Sequence, residues 1–294
     1  MSFPSGRLRG GRFEPRVEAR RRAGIRFMWL CRFAVAFGVS SLLVLLVSIL
    51  MAGIPALSPD FLANDPSRFP ELAGIRSAIL SSAWMLALVA AMSFPLGVGA
   101  ALYLEEYAPR NRLTRLLQTN IANLAGVPSI VYGLLGLAVF VRFLALERSL
   151  LTGAATLSLL VLPLVIIAAR EAIRAVPGSL RAAAYALGAT RWQAIRHHVL
   201  PAALPRILSG TILALSRAGG ETAPLLVIGA FTFIAFDPVS TVDPFTALPV
   251  QIFNWTTEPN GEFRALAAGA IVVLLGVLLL MNAAAVLIRN RYER

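Results

Sequence analysis

The chain has 294 residues, 57% of them hydrophobic and only 14% charged, with a formal net charge of +12. That composition excludes a soluble globular domain of this size, and contact with anionic lipid accounts for the positive charge without a nucleic-acid partner. All 27 basic side chains are arginine. With no lysine, the chain cannot build the phosphate-gripping loop of an ATPase. Any ATP that drives it must be hydrolysed by another subunit.

Six apolar runs exceed the ~18 residues of a spanning helix: 27–53, 75–104, 120–141, 151–169, 207–236 and 266–288. Strands of a membrane barrel would be shorter and would alternate in polarity. The expected fold is therefore all-α, a polytopic membrane protein with six transmembrane helices. It divides into a basic tail (1–26), a first transmembrane helix (27–53) and a membrane domain (75–289) carrying a helix pair at 177–201.

Eight arginines lie in the tail, three at 110–115, six between 170 and 206, and three at the C-terminus. Only five (Arg68, Arg76, Arg142, Arg148 and Arg264) fall in the alternate loops. The positive-inside bias then places both termini in the cytoplasm, in a multi-pass inner-membrane protein. Arg20-Arg21-Arg22 precedes the first run in the manner of a twin-arginine signal. That run is long for a cleavable segment and no clear Ala-x-Ala site follows, so it reads as a retained span. The single cysteine, Cys31, excludes an intrachain disulfide.

Pro55, Pro59, Pro66 and Pro70 make the first outer loop irregular. Glu105, Glu106 and Tyr107 sit where the second span leaves the bilayer. Adjacent carboxylates diverge on a helix and no nucleophile is near, so these read as interfacial anchors. Asn120, Asn123, Pro128, Ser129, Tyr132, Gly133 and Gly136 give the third span a small, polar stripe that suits helix packing.

Residues 176–201 read VPGSLRAAAYALGATRWQAIRHHVLP. Ser179 is expected to cap a helix over 180–187, and Gly188 to supply its left-handed end. Thr190 and Gln193 then form a capping box for a second short helix, which Leu200-Pro201 ends. The alanines of the first helix suit either an exposed helix former or a surface that another protein approaches closely. His197 and His198 diverge on a helix and lack Cys or acidic neighbours, so no metal site is expected.

Arg217 and Glu221 interrupt the fifth run. Arg217 lies ten residues beyond Ile207, roughly 15 Å into a ~30 Å hydrocarbon core. A charge there costs on the order of 2.5–3.5 kcal/mol on insertion scales, which marks the pair as a functional candidate. At i and i+4 the two share one helix face and can also simply neutralise each other. Gly219, Gly220 and Pro224 predict a kinked or flexible helix beside them. A guanidinium suits a tetrahedral oxyanion, because its fork donates two parallel hydrogen bonds. The loop after this span carries Asp237, Asp243, Glu258 and Glu262 among Phe245, Phe253 and Trp255. It reads equally as an aromatic belt and as a gate or docking surface.

Ala183, Ala184, Gly188, Leu200 and Pro201 match in register the coupling motif of ATP-binding-cassette importer permeases. Ala182 stands where that family has Glu, and His198 where it has Ile. The run Ser216–Leu226 resembles the signature of the A-type permease of phosphate-specific importers. Residues 103–109, 123–133, 245–249 and 252–256 agree with it, so the resemblance runs from about Ile75 to the C-terminus. Some members carry Arg-Thr-Thr at the cytoplasmic end of the fourth span, where this chain has Ala168-Ala169-Arg170.

The resemblance implies a type I importer transmembrane domain that translocates inorganic phosphate, is not itself an enzyme, and needs no cofactor. Its implied partners are a second homologous permease, two ATP-binding subunits and a periplasmic or external phosphate-binding protein. Arg217 and Glu221 would line the substrate path, while Leu180, Ala183, Ala184, Gly188 and Ala189 would dock the ATPase. Two alternatives stand beside it: a sulfate- or molybdate-type importer permease, and an ion-gradient-driven secondary transporter with Glu221 as proton site. No clustered His, Cys or carboxylates support a membrane enzyme.

Overall fold

The computed structural model describes residues 17–230, 234 and 236–292. The first part of the basic tail (1–16) and three residues near the end of the fifth apolar run (231–233) lie outside them, as do 235, 293 and 294. The described backbone is helical throughout its regular elements. The chain divides into two compact units, residues 1–48 and 49–294. The first holds most of α1 (Val17–Gly53), a 37-residue helix. At 1.5 Å per residue this is about 55 Å, more than a bilayer core requires.

In the second unit, the end of α1 and a turn at Ile54–Ala56 lead to the short α2 (Pro59–Ala63), whose Ser58 cap hydroxyl accepts from the Phe61 N–H. Then α3 (Arg76–Leu102) passes into a π turn, Tyr103–Tyr107. The Asn111 side chain caps α4 (Arg112–Leu124), and α5 (Ser129–Gly136) continues as a π turn over Leu137–Phe143. Ser149 caps α6 (Leu150–Arg174). The helix pair follows as α7 (Gly178–Ala186) and α8 (Arg191–Ala194). Beyond it come α9 (Leu200–Gly219), α10 (Ala223–Ile228), α11 (Leu248–Thr257) and α12 (Phe263–Tyr292).

Among the described residues, five helices are long and apolar enough to cross a membrane, or six if the bent pair α4–α5 is one span. That meets the expected number. The central element is α6: 72% of its apolar window is buried, against 33% for α3 and 39% for the helix ending in α9. Small residues at its crossings let backbones approach, as membrane helix packing requires. A Cβ on Gly97 of α3 would meet Val165 of α6 at 2.6 Å, and one on Gly210 of α9 would meet Ala168 at 2.7 Å. The main core joins Met85 and Val89, Leu157 and Val161, Leu215, Leu225 and Phe245 around α6.

Two spans depart from the sequence reading. The third is not continuous over 120–141: α4 stops at Leu124, and the chain bends by 100° before α5. Pro128 disfavours helical geometry at Val127 before it, and Gly126 offers no side chain to hold the turn. The fifth is broken as well. α9 ends at Gly219, α10 starts at Ala223, and Gly229 (φ +91°) stops α10 in turn.

Leu200-Pro201 does not end the second short helix. Helix runs from Arg191 to Gly219, because the π turn at Ile195–Val199 absorbs the register change ahead of the proline. Pro201 lies inside this continuous helix, just past the π turn. Ser179 is not a cap either: the N-cap is Pro177, without a side-chain bond. Ala182 in place of Glu therefore removes no capping contact.

The aromatics after the fifth span are core rather than belt. Phe245 is fully buried against Gly153, and Trp255 packs between Phe61 and Phe263 at 6.1 and 6.2 Å. Phe253 alone of the three is exposed.

Candidate functional site

The break between α9 and α10 places the membrane pair. Gly220 N–H donates to the Arg217 carbonyl and Glu221 N–H to that of Ala218, so the helix closes in a tight turn. Arg217 thus occupies the last turn of α9 and Glu221 the connection, not one continuous helix face. Each charge suits its place: cations are favoured at a helix C-terminus and anions ahead of an N-terminus. Arg217 Nε lies 3.7 Å from Glu221 Oε1, with the arginine side chain 55% exposed and the glutamate 18%.

Gly219 packs against Leu86 of α3 and Leu278 of α12, while Gly220 touches Leu278 more loosely. These glycines end the helix rather than kink it. Pro224 opens α10 and lies on Gly133 of α5, where an added Cβ would come within 2.7 Å of Pro224 Cα. Gly136 on the same helix lies closer still to Thr156 of α6. Within the polar stripe of the third span, Tyr132, Gly133 and Gly136 thus form a packing surface, while Asn120, Asn123 and Pro128 are exposed. Its Tyr132 hydroxyl donates to the Leu124 carbonyl at 2.9 Å, tying the two halves of the bent span together.

Two broken spans, α4–α5 and α9–α10, therefore meet at the α5–α10 contact. Interrupted helices at membrane depth are tolerated where protein or a water-filled path satisfies the freed backbone groups. An exposed guanidinium beside such a break can bind an anion.

The helix pair forms the second site. Gly188 has φ +80°, the left-handed turn expected of it. Thr190 and Gln193 make the expected capping box, with bonds of 2.8 and 3.3 Å. Of the proposed docking residues, Leu180, Ala183 and Gly188 are exposed and Ala189 partly so. Ala184 is buried and accepts from the Ala189 N–H at 3.0 Å. It supports the pair from inside and offers no contact surface in this chain. Leu187, at 89% exposure, Tyr185 and Trp192 present large apolar groups at this end. Sequence reasoning passed over them, although such side chains on a polar, arginine-rich loop were a readable signal. Both histidines are exposed; His197 Nδ1 lies 3.1 Å from the Gln193 carbonyl. Among the described residues no group of His, Cys, Asp and Glu could hold a metal.

The end of α3 differs most from its sequence reading. Glu105 and Glu106 are not simple anchors. Glu105 accepts from Arg170 at 2.8 Å and from Arg174 at 2.8 Å, both on α6. Glu106 accepts from Arg181 of α7 at 3.0 and 2.7 Å. Arg170, in the stretch where some members of the resembled family carry Arg-Thr-Thr, is committed to Glu105. Partners 65 to 75 residues away leave no local sequence signal.

Comparison with known proteins accounts for this plan. Residues 93–294 match the model of the binding-protein-dependent transport system inner membrane component. The chain belongs to that family. It is 34% identical over 262 residues to the probable ABC transporter permease protein YqgI of Bacillus subtilis, covering 84% of this chain and 88% of that protein. It is 33% identical over 249 residues to the phosphate transport system permease protein PstA of Pasteurella multocida, with the same two coverages. To the phosphate transport system permease protein PstA 1 of Mycobacterium tuberculosis it is 35% identical over 220 residues, 74% of this chain and 70% of that one.

The fold recurs in the MetNI methionine ABC transporter, with TM-score 0.60 at 18% identity, over 75% of this chain and 96% of that one. It recurs also in a bacterial alginate ABC transporter, with TM-score 0.62 at 16% identity, over 91% and 94%. The chain is thus an ABC importer permease, a multi-pass inner-membrane transport component with the type I transmembrane fold. Within this family member, the broken α9–α10 span and the α7–α8 pair are two places where exposed, chemically distinctive side chains gather.

Proposed function

We propose that this permease forms half of the membrane channel of an ATP-driven importer of inorganic phosphate. The half-exposed Arg217 at a break in a membrane helix carries the reading, because it can offer a desolvated oxyanion a bidentate donor. Relatives described as phosphate transport permeases, alike over about three quarters of the chain or more, support phosphate over other anions.

In this account α7 and α8 face the cytoplasm, as do both termini, and the arginine distribution supports that orientation. The exposed Leu180, Ala183, Tyr185, Leu187, Gly188 and Trp192 seat an ATP-binding subunit. A second permease completes the path, since one arginine cannot neutralise a doubly charged phosphate. An external binding protein delivers the ion. Closure of the ATP-binding pair pushes on α7, the spans rock, and phosphate moves past Arg217. Glu221 orients that arginine and offsets its charge when the path is empty.

Uptake of radiolabelled phosphate by starved cells lacking this gene tests the reading. Recovery on complementation, competed by unlabelled phosphate but not by sulfate or molybdate, is the expected result. Competition by sulfate or molybdate instead would assign the path to another oxyanion. Uptake that persists without any co-purifying ATP-binding subunit would favour an ion-gradient mechanism.

A further inference from the structure

Three consecutive residues at the end of α3 each receive arginine from a different element. Glu105 takes Arg170 and Arg174 from α6. Glu106 takes Arg181 from α7. The Tyr107 ring lies under the Arg191 guanidinium of α8, 4.9 Å from centroid to Cζ. Glu106 is the more enclosed of the two carboxylates, its side chain 8% exposed against 14% for Glu105.

Arg181 also donates to the carbonyls of Val176 at 2.8 Å and Ile173 at 3.0 Å, at the C-terminal end of α6. One guanidinium therefore fastens α7 to two spans at once. A planar fork with fixed donor directions resists rotation in a way that a lysine ammonium would not. By chain connection alone, α7 meets α6 only through the short link at Ala175–Pro177, and nothing along the chain joins α7 or α8 to α3.

From this geometry we infer that Arg181–Glu106, with Arg191–Tyr107 beside it, is the joint that carries movement of the α7–α8 pair into α3. The inference rests on the reading of α7 and α8 as the ATPase-docking element. It assigns Arg181 and Arg191 a task distinct from docking, because both turn inward to α3. Displacing α7 with the joint intact must drag the π turn Tyr103–Tyr107, and α3 behind it. With the joint open, α7 can move on its link while α3 stays. Arg181, Glu106, Arg191 and Tyr107 are positioning residues: none touches substrate or nucleotide in this account.

Two readouts on the reconstituted importer, complete with its ATP-binding subunits and binding protein, test the joint. The first is phosphate taken up per ATP hydrolysed. Arg181→Met and Glu106→Gln should each lower it about tenfold, within the usual range of coupling between sites. ATP-binding subunits should remain bound and ATP hydrolysis stay within about twofold of wild type in both variants, since coupling and docking are separable terms. The reciprocal pair Arg181→Glu with Glu106→Arg should recover only part of the ratio, because a glutamate at 181 restores the ion pair but has no donor for the Val176 and Ile173 carbonyls. An unchanged ratio in the single variants would overturn the joint, and so would a proportional loss of uptake and subunit retention. If the buried pair proves too destabilising to remove, Tyr107→Leu against Tyr107→Phe asks the same question at its exposed edge. Only the leucine variant should uncouple.

The second readout does not depend on the substrate. Nitroxides at the exposed positions Tyr103→Cys and Ser179→Cys, the latter on α7 but outside the proposed docking residues, in a Cys31→Ser background, report the α3–α7 distance. It should be the same with and without ATP in the otherwise wild-type protein and should change with ATP in Arg181→Met. A distance that already changes without that substitution would overturn the joint. Failure of the docking reading would appear differently, as a wild-type permease that retains no ATP-binding subunit.

Discussion

Arg217 and Glu221 stand 3.7 Å apart across a break in the helix, not stacked on one turn of it. With the arginine more than half exposed, the attraction is solvent-screened and too weak to fix the guanidinium by itself. What fixes its place is the end of α9, where Gly219 lies against Leu86 and Leu278. The guanidinium is thus positioned by backbone yet left with donors to spare, as a transient anion partner needs.

The contact between the two broken spans should tolerate no added atom. An alanine at Gly133 would put its Cβ 2.7 Å from Pro224 Cα and 3.0 Å from the Pro224 carbonyl. Backbone cannot rotate away as a side chain can. Gly133→Ala should destabilise the detergent-solubilised protein by about 1–3 kcal/mol and reduce uptake. An unchanged melting temperature would mean that α5 and α10 do not meet as described.

Tyr132→Phe tests the bend itself. The variant keeps the ring but deletes the hydroxyl that donates to the Leu124 carbonyl at the end of α4. A loss of about 0.5–1.5 kcal/mol is expected for such a bond, read by thermal unfolding. No change would show that the carbonyl finds another donor.

At Gly188 two substitutions separate backbone from surface. Nothing lies within 4 Å of a Cβ built there, so an alanine meets only the strain of φ +80°. Gly188→Ala should cost about 1–2 kcal/mol of local stability and weaken retention of the ATP-binding subunit modestly. Gly188→Glu adds bulk and charge to the proposed docking face and should abolish co-purification. Equal retention by both variants and wild type would remove Gly188 from that face.

The capping box gives a smaller and independent effect. Thr190→Ala deletes the oxygen that accepts from the Gln193 N–H. It should loosen α8 by about 1 kcal/mol, seen as faster hydrogen exchange over 190–196. Exchange identical to wild type would mean that packing alone holds the helix.

Much of this was legible in the sequence, because membrane helices and caps are local signals. The apolar runs gave the span count; Thr190 with Gln193 gave the capping box; Gly188 gave the left-handed turn. Hydropathy, however, measures only how apolar a stretch is. Ala125–Pro128 and Gly220–Thr222 barely interrupt their runs, so the first break reads as continuous helix, the second as no more than a kink, and Arg217 as central instead of terminal. Pro201 seemed a stop because a proline's effect depends on the turn before it, here a π turn that no pattern announced. The partners of Glu105 and Glu106 were invisible for a different reason. Their arginines come from distant spans, and only the packed fold brings them to the end of α3.

The most direct test of the central claim is phosphate uptake by wild type, Arg217→Lys and Arg217→Ala, each shown to assemble with its ATP-binding subunit. Loss of uptake with alanine, and only partial recovery with lysine, is the predicted result, because a lysine keeps the charge but not the fork. Full uptake by the alanine variant would contradict the account and leave Arg217 and Glu221 as a structural pair.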